Sequence, residues 1–224
     1  MPQLTRSRSK FFQLRPLLYL FAVCAPLCAE VIDRMAISVG NQVITASQID
    51  EEVRVTAFLN NDKVDLSADQ KKKAAARLID QALIKREMDL SHYPLPALSD
   101  ADSALKEIQS HYPSQAAFEQ ALADHGITEA QLKEHLRWQL TVLRFVDYRF
   151  RPGIQISDSE VQSYYQQQVS KWQQQGVKTI PSLGDQRAEI EEILTDRQID
   201  ENLDRWLAEA RKQVPIRYLD ETLQ

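Results

Sequence analysis

The stretch TEAQLKEHLRWQLTVLRFVDYRF, residues 128–150, predicts a helix roughly 33 Å long that is apolar on two sides. Thr128 and Gln131 have the spacing of a capping box, which places the helix start. A helix with two apolar sides is either sandwiched in a core or lines a groove for a partner's apolar segments. At 100° per residue, one stripe contains Leu132, Leu136, Leu140, Leu143 and Phe150, and a second, roughly opposite, contains Trp138, Val142 and Phe145.

Helical patterns also dominate the chain on both sides of this segment. Ser47 and Ser67 each begin a four-residue pattern typical of a capping box, and Gly126 fits a helix C-cap. Proline residues and a short glycine-bounded segment separate the patterns. Together they predict helices over residues 47–60, 67–90, 99–112, 114–125, 157–175 and 185–213.

A small sheet is predicted from the two ends of this helical region. Residues 34–39 and 42–45 have strand patterns on either side of Gly40 and Asn41, which form a two-residue hairpin signal. A lone hairpin is marginally stable in water, and residues 216–219 form a candidate partner strand. The predicted fold class is mainly α, a multi-helix core with a small antiparallel sheet from an N-terminal hairpin and a C-terminal strand.

Residues 1–29 have the pattern of an export signal. Four basic residues and no acidic residue accompany an apolar stretch of about 14 residues that ends at Ala29. A membrane-spanning helix needs roughly 20 apolar residues, so we expect cleavage after Ala29 and a periplasmic location. The alternatives are retention as an N-terminal membrane anchor and a lipid anchor on Cys24 or Cys28.

Cleavage of this segment would leave an acidic chain without cysteine. The segment contains four of the 27 basic residues, none of the 32 acidic residues and both cysteines, so the net charge would fall from −5 to −9. Disulfides, thiol catalysis and cysteine metal sites would then be excluded. Because residues 71–73 are the one basic cluster, we expect no nucleic-acid partner. Export also separates the protein from cytoplasmic nucleotides, so we expect no nucleotide.

No motif in the sequence indicates catalysis or a cofactor. The histidines, His92, His111, His125 and His135, lack metal-ligand spacing, and we expect them on surfaces or in loops. Five glycines in 224 residues leave no glycine-rich phosphate loop, and a nucleophile elbow is missing. We therefore expect no metal, no cofactor and no catalytic residue.

The order of these elements, with an export signal in front, resembles the SurA-type periplasmic chaperones and the N-terminal module of SurA-like peptidyl-prolyl isomerases. The similar segments cover most of the chain after residue 29. The resemblance implies a chaperone core whose family role is to hold unfolded outer-membrane proteins in transit. The segments are DRMAISVGNQVITASQID (33–50), ARLIDQALIKREM (76–88), FEQALADHGITEAQLKEHLRWQL (118–140), ISDSEVQSYYQ (156–166) and IDENLDRWLAEARKQVPIRYLD (199–220).

The chain departs from that family where its members carry one or two parvulin isomerase domains, each of roughly 90–100 residues. Only about 20 residues, 169–188, join the two parts here, and the parvulin motifs are missing. The expected organisation is a signal peptide over 1–29, a SurA-like helical chaperone domain with its hairpin over 30–175, a short linker over 176–184, and a C-terminal helix and strand over 185–224 that pack back on the core.

These observations predict an ATP-independent holdase that binds extended segments of unfolded envelope and outer-membrane proteins and has no isomerase activity. Holding without nucleotide requires accessible apolar surface beside adaptable polar surface. The candidate client-binding residues are Trp138, Val142 and Phe145 on the second stripe, and Tyr93 and Leu95 in a proline-containing loop. Ordinary packing is the alternative role for each residue. A divergent peptidyl-prolyl cis-trans isomerase and an adaptor or scaffold for a single envelope partner are the alternative functions.

Overall fold

The computed structural model describes residues 33–93 and 97–223, so the predicted export signal and Leu95 lie outside the described residues. Within these residues the protein is mainly helical with a small antiparallel sheet, which confirms the predicted fold class. The strands are β1 (Met35–Val39), β2 (Gln42–Thr45) and β3 (Ile216–Tyr218). The helices are α1 (Ala46–Leu59), α2 (Ala68–Ser91), α3 (Asp102–Ser110), α4 (Gln115–His125), α5 (Glu129–Phe150), α6 (Asp158–Gln174) and α7 (Leu183–Gln213).

The sheet brings the two ends of the described chain together. Its strand order is β2-β1-β3, and Ile37 of β1 lies opposite both Ile44 of β2 and Tyr218 of β3. The hairpin turns at Gly40, whose φ of 60° is readily adopted by glycine, and its backbone N–H donates to the Pro215 carbonyl at 2.9 Å. The predicted hairpin and its partner strand are both confirmed, and their pairing holds the end of α7 beside β1.

Capping boxes begin α5 and α6 at the predicted residues. The Thr128 hydroxyl accepts the backbone N–H of Gln131 at 3.2 Å, and the Gln131 side chain accepts the Thr128 N–H at 2.9 Å. Ser157 and Glu160 form the equivalent pair at 3.3 and 2.8 Å. Hydrogen bonds from Ser157 also lower the pKa of Glu160. Each box satisfies two backbone donors that a helix start otherwise leaves unpaired.

The capping predictions at α1 and α2 were wrong. Helix α1 begins before Ser47, and Thr45 is its N-cap, while the Ser47 hydroxyl donates to Asp33. At α2, Ser67 occupies the N-cap position but makes no cap hydrogen bond, because its hydroxyl donates to Asp65 at 3.0 Å. In both places an aspartate accepts the serine hydroxyl, which is a common local alternative to capping.

Helix α5 belongs to two parts of the core. Its first half packs Leu132 and Leu136 against α1, α3 and α4, where Phe118 is also fully buried. Its second half packs Phe145 and Val146 against α2 and α7. Residues of both predicted stripes therefore pack in the core. Burial of these apolar side chains is the main contribution of α5 to the stability of the fold.

The division of α5 into stripes was wrong at two residues. Phe150 packs in the same part of the core as Trp138 and Val142, rather than with Leu132. Leu143, assigned to the Leu132 stripe, has 69% of its surface exposed. It lies beyond the part of α5 that α3 and α4 cover, so its position on the helical wheel did not predict its burial.

Helix α6 packs on the first half of α7 through a small core of Val161, Ile190 and Leu194. The connection between the helices covers residues 175–182, and α7 begins two residues earlier than predicted. The Tyr165 hydroxyl donates to the Pro181 carbonyl at 2.7 Å and fastens this connection to α6. Among the described helices, none has an apolar stretch of the length needed to cross a membrane.

The capping geometry predicts different costs for two serine substitutions. Ser157→Ala should lower the free energy of unfolding by about 1 kcal/mol, because it removes a capping box. Ser67→Ala, the matched control, should change it by less than about 0.5 kcal/mol, since Ser67 makes no cap hydrogen bond. Urea unfolding of both variants checks this expectation, and equal losses for the two serines would contradict it.

Candidate functional site

An open apolar cleft lies where α2, α5 and α7 meet. Its volume is about 480 Å³, within the roughly 300–1,000 Å³ range of common ligand pockets. Its lining combines apolar side chains with four polar side chains, which we call its rim. Its apolar lining is Ile84 of α2, Trp138, Val142 and Leu143 of α5, and Leu203 and Leu207 of α7; its rim is Arg77, Asp80, Gln81 and Gln139. We refer to it below as the apolar cleft.

The floor of the apolar cleft is supported by a packed core. Phe145, Met88 and Ile199 are buried together, and the partly buried Trp138 and Val142 pack against them. Trp138 and Val142 are four residues apart on α5, so they project from the same face of the helix. The lining is therefore held by the helical scaffold rather than by a loop, which fixes its shape.

The structure places the predicted site residues in three different environments. Trp138 and Val142 line the apolar cleft. Phe145 is only 1% exposed and lies in the core, so it supports the cleft and offers no surface to an occupant. Tyr93 packs against the rings of Phe145 and Tyr148 at 5.3 and 5.5 Å instead of lining the cleft. Leu95 lies outside the described residues.

Sequence reasoning missed four apolar residues of the lining. Leu143 was assigned to the opposite stripe of α5, and Ile84 of α2 was not singled out from the sequence. Leu203 and Leu207 are apolar positions of α7, one turn apart, and that spacing was the available signal. Nothing in the local pattern indicates that α7 passes beside Trp138, because these segments are more than 60 residues apart in the sequence.

A buried carboxylate lies behind the apolar cleft. Glu52 of α1 is 6% exposed, and the Nε of Arg77 on α2 donates to its Oε1 at 2.7 Å. The Nδ1 of His135 on α5 lies 3.5 Å from its Oε2. A buried carboxylate without partners is costly, so these contacts tie α1, α2 and α5 together. The expectation that all histidines lie on surfaces or in loops was wrong for His135, whose side chain is 14% exposed within a helix.

His135 is held in a setting that disfavours its charged form. Burial lowers its pKa, the neighbouring Glu52 opposes this effect, and Arg77 adds to it. The Nε2 of His135 lies 3.1 Å from the side-chain nitrogen of Gln139, a rim residue of the apolar cleft. The network thus extends from the buried carboxylate to the cleft rim.

A second cleft of about 360 Å³, which polar, charged and apolar side chains line together, lies between α1, α2 and α5. Gln81 and Trp138 line both clefts, so the indole of Trp138 forms part of the wall that the two share. The Nε1 of Trp138 is buried and has no hydrogen-bond partner among the described residues. An unpaired buried donor costs roughly 1–3 kcal/mol, which makes the present position of this ring less favourable than its packing alone suggests.

The opposite rim of the apolar cleft carries an ion pair. The Nη2 of Arg211 on α7 donates to Asp80 of α2 at 2.7 Å, which joins the two helices across the cleft edge. Burial raises the pKa of Asp80, although the hydrogen bond from Arg211 lowers it. The pair is about one-third exposed, and such pairs contribute modestly to stability, so we assign it to positioning α7 rather than to binding.

Comparison with known proteins adds no relative to this description. No protein-family model matches the chain, and no curated protein sequence matches it. The resemblance to SurA-type chaperones therefore depends on the sequence segments quoted above. Within the described part of the chain, no group of three or more histidine, cysteine, aspartate or glutamate side chains could hold a metal ion.

The setting of His135 predicts a pH-dependent stability. An unfolded histidine has a pKa near 6.5, and the folded value is lower, so the unfolded state binds more protons between these two values. The free energy of unfolding should therefore fall as the pH decreases from about 6.5 through the folded pKa. The loss should be about 1.4 kcal/mol for each pH unit that separates the folded pKa from the unfolded pKa.

Urea unfolding at a series of pH values between 8 and 5 checks this expectation, with wild type compared to His135→Gln at each pH. The substitution should remove this part of the pH dependence. His111→Gln is the control, because His111 is exposed and should leave the dependence in place. A constant difference between wild type and His135→Gln across the pH range would contradict the prediction.

Proposed function

We propose that this protein is an ATP-independent holdase of the cell envelope that binds extended apolar segments of unfolded proteins, including outer-membrane proteins, and catalyses no reaction. The observation that carries this proposal is the apolar cleft, whose centre is left open between α2, α5 and α7. Any molecule that binds unfolded chains in preference to folded ones limits their aggregation without an energy source. The sections of client that fit best are short stretches with a few adjacent apolar side chains.

The composition of the cleft supports a client of varied sequence. Apolar contact with Trp138, Val142 and Leu203 is not directional, so it does not demand one particular side chain. The amides of Gln81 and Gln139 at the rim each offer donors and an acceptor that an extended peptide backbone can use. A surface that combines an apolar centre with adaptable polar groups is typical of binders with many partners.

The exposure of Leu143 supports an accessible binding surface rather than an internal void. Leu143 lines the apolar cleft and is 69% exposed, so an occupant can reach it without any movement of the helices. A single exposed leucine is common in a folded protein, but here it continues an apolar lining from three helices. Because Leu143 is part of a larger apolar surface, its exposure favours a binding role over that of an isolated exposed leucine.

The short connection between α6 and α7 supports a function without isomerisation. Residues 175–182 are too few for a parvulin domain, which needs roughly 90–100 residues. The proposed envelope location depends on the signal pattern of residues 1–29 and on the resemblance to SurA-type chaperones. The net charge of −5, or −9 after cleavage, favours solubility of a protein that carries bound apolar segments.

The direct test is suppression of aggregation. The purified protein is titrated into a light-scattering assay of an unfolded outer-membrane β-barrel protein, without nucleotide, and a stable soluble protein serves as the control additive. We expect suppression at ratios near one to one. Absence of suppression would contradict the holdase proposal and favour an adaptor for one partner, while acceleration of a proline-limited refolding reaction would favour an isomerase.

A matched pair of leucines tests the assignment of the apolar cleft. Leu143 and Leu90 are 69% and 64% exposed, but only Leu143 belongs to the cleft lining. Leu143→Ala should weaken client binding by roughly 1 kcal/mol, about fivefold, because it removes apolar contact, whereas Leu90→Ala should leave binding nearly unchanged. Leu143 is a cleaner choice than Trp138, whose ring also packs against the core.

Affinity for a fluorescent, unfolded client fragment measures the effect, and urea unfolding of both variants shows that stability is preserved. Equal weakening by Leu143→Ala and Leu90→Ala would mean that clients bind through general surface contact. No weakening by either substitution, in a protein that still suppresses aggregation, would place the client site elsewhere on the molecule.

A further inference from the structure

The second cleft offers apolar surface and carboxylate groups within one lining. Leu78 of α2 and Trp138 of α5 contribute apolar surface, and Glu51 of α1 contributes a carboxylate. A lysine or arginine side chain has the same two-part character, because its methylene stem is apolar and its head is charged. The lining therefore matches a long basic side chain better than a purely apolar or a purely polar one.

Glu51 is the carboxylate of this lining that has no basic partner among the described residues. Glu52 is paired with Arg77, and Glu134 is paired with Arg137. Glu51 itself is partly buried. A charge that water surrounds only in part is screened less than a fully exposed one, so it attracts an incoming cation more strongly.

The other charged and titratable groups of the second cleft do not neutralise Glu51. The ammonium group of Lys85 lies 3.1 Å from Asp89, one turn further along α2. Burial lowers the pKa of His135 and favours its neutral form. The lining thus contains three carboxylates against two basic side chains, Lys85 and Arg137. Its charge balance favours a cationic occupant.

The second cleft adjoins the apolar cleft, because Gln81 of α2 and Trp138 of α5 line both. Along α5 the combined lining runs from Gln131 to Leu143. At 1.5 Å per residue, this distance is about 18 Å. An extended chain rises about 3.3 Å per residue, so a segment of about five or six residues spans both clefts.

We infer that the two clefts form one two-part site, which selects extended segments with apolar residues in the apolar cleft and a lysine or arginine paired with Glu51 in the second cleft. As a preference among clients, this inference rests on the proposed holdase function. A negatively charged protein attracts basic peptides over a distance whatever their sequence. A two-part site differs because it requires a short spacing between the apolar and the basic residues, and a longer spacing lowers the effective concentration of the second group.

Synthetic peptides measure this selectivity. Each fluorescent peptide contains a short run of leucines in a serine and glycine background, with one lysine placed either about four or about twelve residues from the leucines. A matched peptide carries glutamine in place of lysine. Fluorescence anisotropy with the full chain should show about fivefold tighter binding for lysine than for glutamine at the short spacing. The advantage of lysine should be clearly smaller at the long spacing.

Two glutamate variants locate the selectivity on the molecule. Glu51→Gln should remove the advantage of lysine, because it removes the carboxylate and preserves the size of the side chain. Glu189→Gln is the matched control: Glu189 is exposed on α7, lines neither cleft and carries the same charge. Urea unfolding checks that both variants are folded. A lysine advantage that persists in Glu51→Gln, or that is equal at both spacings in the wild type, would overturn the two-part site.

The light-scattering assay then separates this inference from the proposed function. Suppression of aggregation by a protein that binds the lysine and glutamine peptides equally would keep the holdase and remove the two-part site. A lysine advantage that is lost in Glu51→Gln, without any suppression, would keep the two-part site and remove the holdase. Failure to bind any of the peptides would overturn the two-part site whatever the scattering shows. Suppression together with a lysine advantage that depends on Glu51 supports both.

Discussion

Burial of the two apolar sides of α5 brings the other helices together around it. This helix has two apolar sides, and no single neighbour can bury both. Helices α1, α3 and α4 cover its first half, and α2 and α7 cover its second half. Helix α7 is followed by β3, which pairs with β1, and beside α7 the α5 residue Leu143 stays exposed in the cleft lining. The apolar cleft is the consequence of that incomplete cover.

The same crowding around α5 explains the buried polar network. Helices α1, α2 and α5 meet at Glu52, and a carboxylate in that position requires partners on the other two helices. Arg77 supplies a charge, and His135 supplies a ring whose burial lowers its pKa and favours the neutral form. A purely apolar junction would stabilise the helices equally well. The polar junction places a titratable group within hydrogen-bond distance of the cleft rim.

The function that we propose depends on the accessible apolar surface of the cleft and not on a reactive side chain. An apolar cleft on a rigid helical scaffold can receive short apolar stretches from many unfolded chains, and weak, non-directional contacts allow their release without nucleotide. An adaptor would use the same cleft for one partner, with a closer fit. The two functions differ in the variety of occupants that the apolar cleft accepts.

The mainly helical fold, the hairpin with its partner strand, and the caps at Thr128 and Ser157 could be predicted from the sequence, because they depend on local hydrogen bonds and on periodicity. The sequence also indicated Trp138 and Val142 as candidates. The packing of the helices was needed to show that Phe145 is buried and Leu143 exposed, and that Leu203 and His135 lie at or beside the site. Periodicity gives the direction of a side chain from its own helix, but burial depends on which distant helix lies opposite, and that information is not local.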